Sequence, residues 1–416
     1  MDYFFSFRGG LVLFLIGTSV VLTFRNPKYG IVVFIILLFL REPFLMSWFP
    51  PAYEILHLPK VFGILTFISW FLNRKDYPIQ IPSQLWLMLL FFGIILLSRS
   101  LAGSKAFGHK VPNDFFKMCV LFFLITNVIK SERDIKEIIW VLIVINVFAT
   151  LYHYYYYKTG WKSVFVMPIF QFLNRNKFAG TLASMVPLTY FILWNSKSTA
   201  TKVLLGFCLS SFIGGVILTY SRSGAFALFI GLITIMLLDK RKIRLVFIVL
   251  MLGLIMGPRI SKRYVERITS IEHYEEDPSS MARVATNRAA INILKAHPLL
   301  GIGAGNFNSV FLDYTPSELL RWVRPGKSIH NVFLQVMSET GLVGLSVFIV
   351  LIFNTFIDVL KVRKKRLSDL SNLSVALGIS LFVYLFHLQF HPGAYYSYIY
   401  IFIPLIVSTK LASYNL

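Results

Sequence analysis

Few of the 416 residues combine a reactive side chain with a place to use it. His330 ends a long polar interval and stands directly before the apolar run that opens Asn331-Val332-Phe333-Leu334. With an unperturbed pKa of about 6.5, an imidazole can take a proton from a sugar hydroxyl near neutral pH. Arg222 lies in Tyr220-Ser221-Arg222-Ser223-Gly224, between two apolar runs with almost no loop around it. Arg288 lies inside the polar interval. Guanidinium groups grip phosphate oxygens through paired hydrogen bonds that lysine cannot match. Asn174-Arg175-Asn176-Lys177 opens another apolar run, with Arg175 and Lys177 supplying positive charge. Asn174 and Asn176, like Asn331, can cap a helix or bond sugar hydroxyls. Each group also has a plainer reading. His330 is then an interfacial histidine, and Arg222 is a snorkelling side chain or a helix-end cap.

Other arrangements point away from chemistry. No HxxxH pattern or His/carboxylate cluster lies near His330, which argues against a metal. Gly301-Ile302-Gly303-Ala304-Gly305 superficially suggests a nucleotide loop. It follows no buried strand and precedes no P-loop lysine, so a tight turn is the better reading. Glu339 lies nine residues beyond His330, about 180° away on a straight helix, and reads as structural. Cys119 and Cys208 both fall in apolar runs and read as small core residues.

These groups are carried by a chain that is 56% hydrophobic and only 14% charged, with mean hydropathy +0.69. A soluble chain carries about 25% charged residues. Long continuous apolar runs, without period-two alternation, predict an all-α, polytopic membrane protein rather than a barrel. The first run, Leu11 to Phe24, leads into Arg25-Asn26-Pro27-Lys28 and not into a small-residue cleavage site, so no cleavable signal peptide is expected. The net charge of +22 fits lysine- and arginine-rich cytoplasmic loops, and after that an anionic lipid phosphate substrate, better than it fits nucleic acid.

Thirteen candidate spans emerge, near 9–24, 30–49, 58–72, 84–98, 115–129, 137–156, 178–194, 203–220, 224–238, 243–257, 331–358, 372–390 and 394–411. Twelve is the favoured count, with one early segment re-entrant or merely interfacial. The basic clusters Lys240-Arg241-Lys242-Ile243-Arg244 and Lys361-Val362-Arg363-Lys364-Lys365-Arg366 belong in the cytoplasm. That orientation exports His330, Arg222, Asn174 to Lys177 and the whole of 258–330. The expected organisation is an N-terminal transmembrane bundle over 1–257, a large periplasmic loop over 258–330 and C-terminal transmembrane helices over 331–416. Within the loop, Ser280 can cap a helix running to Ala296 before Pro298, and Thr315-Pro316-Ser317-Glu318 has the form of a capping box.

Four pieces resemble the O-antigen ligase and polymerase superfamily of bacterial envelope glycan assembly. They are Asn174-Arg175-Asn176-Lys177-Phe178-Ala179-Gly180, Tyr220 to Gly224, His297-Pro298-Leu299-Leu300-Gly301-Ile302-Gly303-Ala304-Gly305-Asn306-Phe307, and His330-Asn331-Val332-Phe333-Leu334-Gln335 through Glu339-Thr340-Gly341-Leu342-Val343-Gly344. The resemblance implies a GT-C-like glycosyltransferase of about twelve spans in the bacterial inner membrane, its active site facing the periplasm. It implies a donor glycan on undecaprenyl pyrophosphate. The acceptor would be a lipid A-core sugar, a further glycan or a protein hydroxyl. It implies neither cofactor nor metal, and no nucleic-acid partner. On the matching positions, His330 becomes base or acceptor positioner, and Arg222 and Arg288 become the pyrophosphate grip, with Arg283 a near competitor for the place of Arg288. Ligase and polymerase share donor chemistry and are not separable by these motifs. A secondary transporter fits less well, because the distinctive residues gather at one membrane face and not at its midplane.

Overall fold

The computed structural model of the chain describes residues 7–39, 57–102, 110–158, 174–238, 278–365, 368–395 and 398–414. The described residues are helical, with no strand among them. The early helices are α1 (Phe7–Arg25), α2 (Pro27–Phe39), α3 (Leu58–Leu72), α4 (Ser83–Ser100), α5 (Lys110–Val128) and α6 (Glu132–Lys158). They are followed by α7 (Arg175–Asn195), α8 (Thr199–Leu218) and α9 (Arg222–Leu238). The polar interval supplies α10 (Pro278–Ala296) and the short α11 (Phe307–Val310). Last come α12 (Val332–Lys364), α13 (Ser368–His387) and α14 (Ile399–Ala412).

Among the described residues, six helices are long and apolar enough to cross a membrane: α4, α5, α6, α8, α12 and α13. Five shorter apolar helices accompany them: α1, α2, α3, α9 and α14. The multi-pass character expected from hydropathy is therefore present. The expected span 243–257, the basic cluster at 240–244 and the first part of the large loop lie outside the described residues.

α7 is the axis of the site. Every residue from Phe178 to Leu193 is buried, as befits a helix that is apolar on all sides. It packs against α8, α9 and α13. Two glycines permit the close approach. A Cβ on Gly180 would fall inside the His387 ring, and one on Gly224 would overlap Ala179. The N-terminal end of α7, the N-terminal end of α9 and the C-terminal end of α13 thus meet at one face of the bundle. The basic end of α12, Lys361 to Lys364, lies at the opposite end of that helix from His330.

The polar interval folds onto this face. α10 buries Ala282, Ala285, Thr286, Ala289, Ala290 and Ile293, one stripe at helical spacing. With Phe307, Phe311 and Ile329 it makes a small core of its own, and α10 packs on α12. The expected helix from Ser280 to Ala296 is thus present. The expected capping box is not: Ser317–Trp322 is a 3-10 helix without a side-chain cap. Thr315 instead turns its hydroxyl back to the Phe311 carbonyl, 2.8 Å away.

α12 breaks at Gly341, where φ is +68°. A break in a helix strands carbonyls on one side and N–H groups on the other. The turn from Pro298 to Gly303 satisfies both sets. Ile302 and Gly303 donate to the carbonyls of Ser338 and Glu339, at 3.0 and 2.9 Å. Leu342 and Val343 donate to the carbonyls of Pro298 and Leu299, at 2.9 and 3.3 Å. The glycine-rich turn is therefore a plug for a broken helix. Gly301 sits at φ +64° with the Glu339 backbone where its Cβ would be.

Candidate functional site

His330 is half-buried and directly precedes the N-cap of α12. Asn331 is that cap: its Oδ1 accepts from the N–H groups of Phe333 and Leu334 at 2.9 and 3.1 Å. Asn174 caps α7 in the same way, accepting from Asn176 N–H at 2.8 Å. The two asparagines hold the helix ends that carry the site, whatever else they contact.

Three histidines gather at this point. The rings of His330 and His391 meet edge to face, with centroids 5.7 Å apart. His391 stacks on His387 at 4.6 Å. His391 and His387 are wholly or almost wholly buried. The carbonyls of Ser223 and Asn176 lie against the His387 ring. Oγ of Ser223 and Nε2 of His391 are 2.8 Å apart, and Ser223 lies next to Arg222 at the start of α9. The segment carrying His391 is fastened to α12 at three successive turns. Asn331 Nδ2 reaches Gln389 Oε1 at 3.4 Å. Gln335 Oε1 accepts from the N–H groups of Gly393 and Ala394 at 3.0 and 3.3 Å. Tyr395 donates its hydroxyl to Glu339 at 2.8 Å.

Electrostatics set the state of the imidazoles. Burial pushes the His330 pKa down from 6.5 to about 4. Positive charge on Arg283 and then Lys327 adds to the fall, the Phe390 carbonyl opposes it, and Lys177 adds a little more. His391 is held well below its ordinary value by burial, then by His387, His330, Arg283 and Lys177. Near neutral pH His330 is therefore uncharged, the state in which an imidazole can accept a proton. Its Nδ1 is buried and meets no hydrogen-bond partner among the described residues.

The positions singled out in the sequence fall into groups. His330, Lys177 and Arg222, the last through its neighbour Ser223, come together at one face. Arg288 does not join them in the expected way. It is exposed on α10, and five residues along a helix turn it about 140° from Arg283. The guanidinium that bears on all three histidines is that of Arg283. Arg175 lines a small cleft with His153, Tyr154 and Phe178, bounded by α6, α7 and α8. That cleft lies across α7 from Gly180 and His387. Glu339 is buried and tied to its surroundings: besides Tyr395, the N–H groups of Gly305 and Phe307 and the Gln335 side chain bond to its carboxylate.

This site falls largely within one recognisable stretch. Residues 207–349 match the O-antigen ligase family. The match supports the O-antigen ligase superfamily for the chain, and with it a ligase- or polymerase-type activity. The matched segment contains Arg222, Ser223, Arg283, the glycine-rich turn and His330. Lys177, His387 and His391 lie outside it and reach the site through α7 and α13. No curated protein matches the chain.

Sequence reading preferred Arg288 over its near competitor Arg283 as the facing arginine, and missed His387 and His391 altogether. A signal for the histidines was present. Two histidines four residues apart, closing an apolar run, share one helix face. Likewise Asn331, Gln335 and Glu339 recur at intervals of four and form one polar stripe on α12.

Among the described residues no group of three or more His, Cys, Asp or Glu side chains is arranged to hold a metal ion. Cys119 and Cys208 are buried and free.

Proposed function

We propose that this chain transfers a glycan from undecaprenyl pyrophosphate to an acceptor hydroxyl, such as that of a lipid A-core sugar. The reaction would take place at the periplasmic face of the bacterial inner membrane. The observation that carries this reading is that His330, packed against His391, is acted on by the positive charges of Arg283, Lys327 and Lys177. A pocket of fixed positive charge suits a diphosphate, and a neutral imidazole beside it suits an alcohol about to lose its proton.

In this mechanism Arg283 and Arg222 hold the diphosphate oxygens. The acceptor oxygen attacks the anomeric carbon, and His330 takes the hydroxyl proton. The bond from the anomeric carbon to the phosphate oxygen breaks, and undecaprenyl pyrophosphate leaves with that electron pair. The guanidiniums stabilise the charge that grows on the departing oxygen. A single displacement inverts the anomeric centre. The bound diphosphate also offsets the charges that depress His330, so the base strengthens when the donor is in place.

Support for the periplasmic side comes from charge. The basic end of α12 marks the cytoplasm by the orientation rule, which leaves the histidine face outside. A knockout strain tests the reaction class. Normal polymer not attached to its final carrier supports a ligase. Accumulated single repeats would make the protein a polymerase. A donor configuration retained in the product would exclude the single displacement.

A further inference from the structure

Arg222 begins α9 and His330 precedes α12, two elements far apart in sequence. Direct packing between α9 and α12 is absent from the principal contacts of the described helices, whereas α13 packs on both. The side chain that bridges their active ends is His391. On one side its Nε2 is 2.8 Å from Ser223 Oγ, so one group donates to the other. Ser223 is itself held, with its Oγ 3.2 Å from Ser221 Oγ. Ser221 Oγ in turn accepts from Gly224 N–H at 3.2 Å. On the other side the His391 ring abuts the His330 ring edge to face. Below it His387 stacks, so the ring has little freedom to turn. The backbone that carries it is fixed to α12 by Gln335 and Asn331.

We infer that His391 is a positioning residue for the transfer reaction: through Ser223 it locks the imidazole of His330 in register with the arginine-bearing end of α9. The reading rests on the function proposed above. A buried hydrogen bond that aligns a base with an anion-binding group improves the fit to the transition state more than it improves donor binding. Its loss therefore lowers kcat and leaves KM for the donor nearly unchanged.

The test separates hydrogen bond from ring. His391→Phe keeps the stacked ring and removes the nitrogen; Ser223→Ala removes the partner. In full-length protein reconstituted in vesicles, each variant should lower kcat about tenfold or more, with donor KM within about twofold. The double variant should lose no more than the worse single, because both remove one bond. A separate readout is the ring NMR signals of His330 in histidine-labelled protein, identified by their absence in His330→Ala. These signals should move alike in His391→Phe and in Ser223→Ala. Melting midpoints of both variants establish that the fold survives; if His391→Phe does not fold, Ser223→Ala and the His330 signals decide. Losses that multiply in the double variant, or an unmoved His330 signal in Ser223→Ala, would overturn the inference. If the wild type transfers no glycan, the proposed function fails, and the NMR comparison still judges the His391–Ser223 coupling by itself.

Discussion

Gly303 donates its backbone N–H to the Glu339 carbonyl over 2.9 Å, across the gap where α12 breaks at Gly341. The polar loop and the membrane helix are thereby one unit. The Glu339 side chain bonds back to Gly305 and Phe307 on the same loop, and Arg99 on α4 donates to the Ala304 carbonyl at 2.8 Å. His330 is positioned at the top of this unit.

Gly341→Ala should damage the fold more than an ordinary surface change. At φ +68° and ψ −168° the backbone lies in a region that is essentially glycine-only, and a side chain there costs about 1–3 kcal/mol from backbone conformation alone. The added Cβ would also overlap the Leu299 carbonyl. Thermal unfolding of detergent-purified protein should show a clear fall in midpoint or a loss of folded material. An unchanged midpoint would mean that the turn does not plug the break.

Arg283 and Arg288 should separate cleanly. Arg283→Ala should cut transfer by about a hundredfold, in the range of losing one charge-stabilising donor. Arg288→Ala, exposed on the far side of α10, should stay within about threefold. Initial rates with saturating donor decide between them. The reverse ranking would return the phosphate grip to Arg288.

The pH profile follows from the depressed imidazole. The free enzyme's base sets the acid limb of kcat/KM. With His330 at about 4, kcat/KM should be flat from pH 7 down to about 5 and fall only near pH 4. Removing Arg283, the largest charge acting on it, should move the acid limb upward. The same shift affects stability. Between pH 6.5 and about 4 the unfolded chain binds a proton that folded His330 refuses, so stability should fall as pH drops through that window.

Asn331→Ala should lose about 1 kcal/mol of stability with its cap, whereas Asn331→Asp keeps an acceptor for Phe333 and Leu334 N–H. If Asn331 served the acceptor alone, the two variants would melt together and differ only in activity.

Much of this architecture was legible because apolar runs of 15 or more residues leave few alternatives to helices. The loop helix was legible for a local reason, the proline that ends it. The break at Gly341 was not. Gly341 and Gly344 read as a small-residue packing face, and only the partner turn from Pro298 reveals the backbone need. The facing arginine was ambiguous in the same way. Arg283 and Arg288 are equivalent by spacing, and the buried alanine stripe of α10 decides which one faces the histidines. His387 and His391 become meaningful only once α13 is set against α7 through Gly180, a contact between residues about two hundred apart in the chain. The capping-box pattern at Thr315 failed because the Phe311 carbonyl offered its hydroxyl a nearer partner.

In the proposed reaction a neutral His330 beside a cationic diphosphate pocket performs transfer. The direct measurement is glycan transfer in vesicles containing purified protein, undecaprenyl pyrophosphate-linked glycan and a lipid A-core acceptor. Folded wild type should release undecaprenyl pyrophosphate and form glycosylated acceptor, and equally folded His330→Ala should run at least about a hundredfold slower. Equal rates for the two proteins would contradict the account.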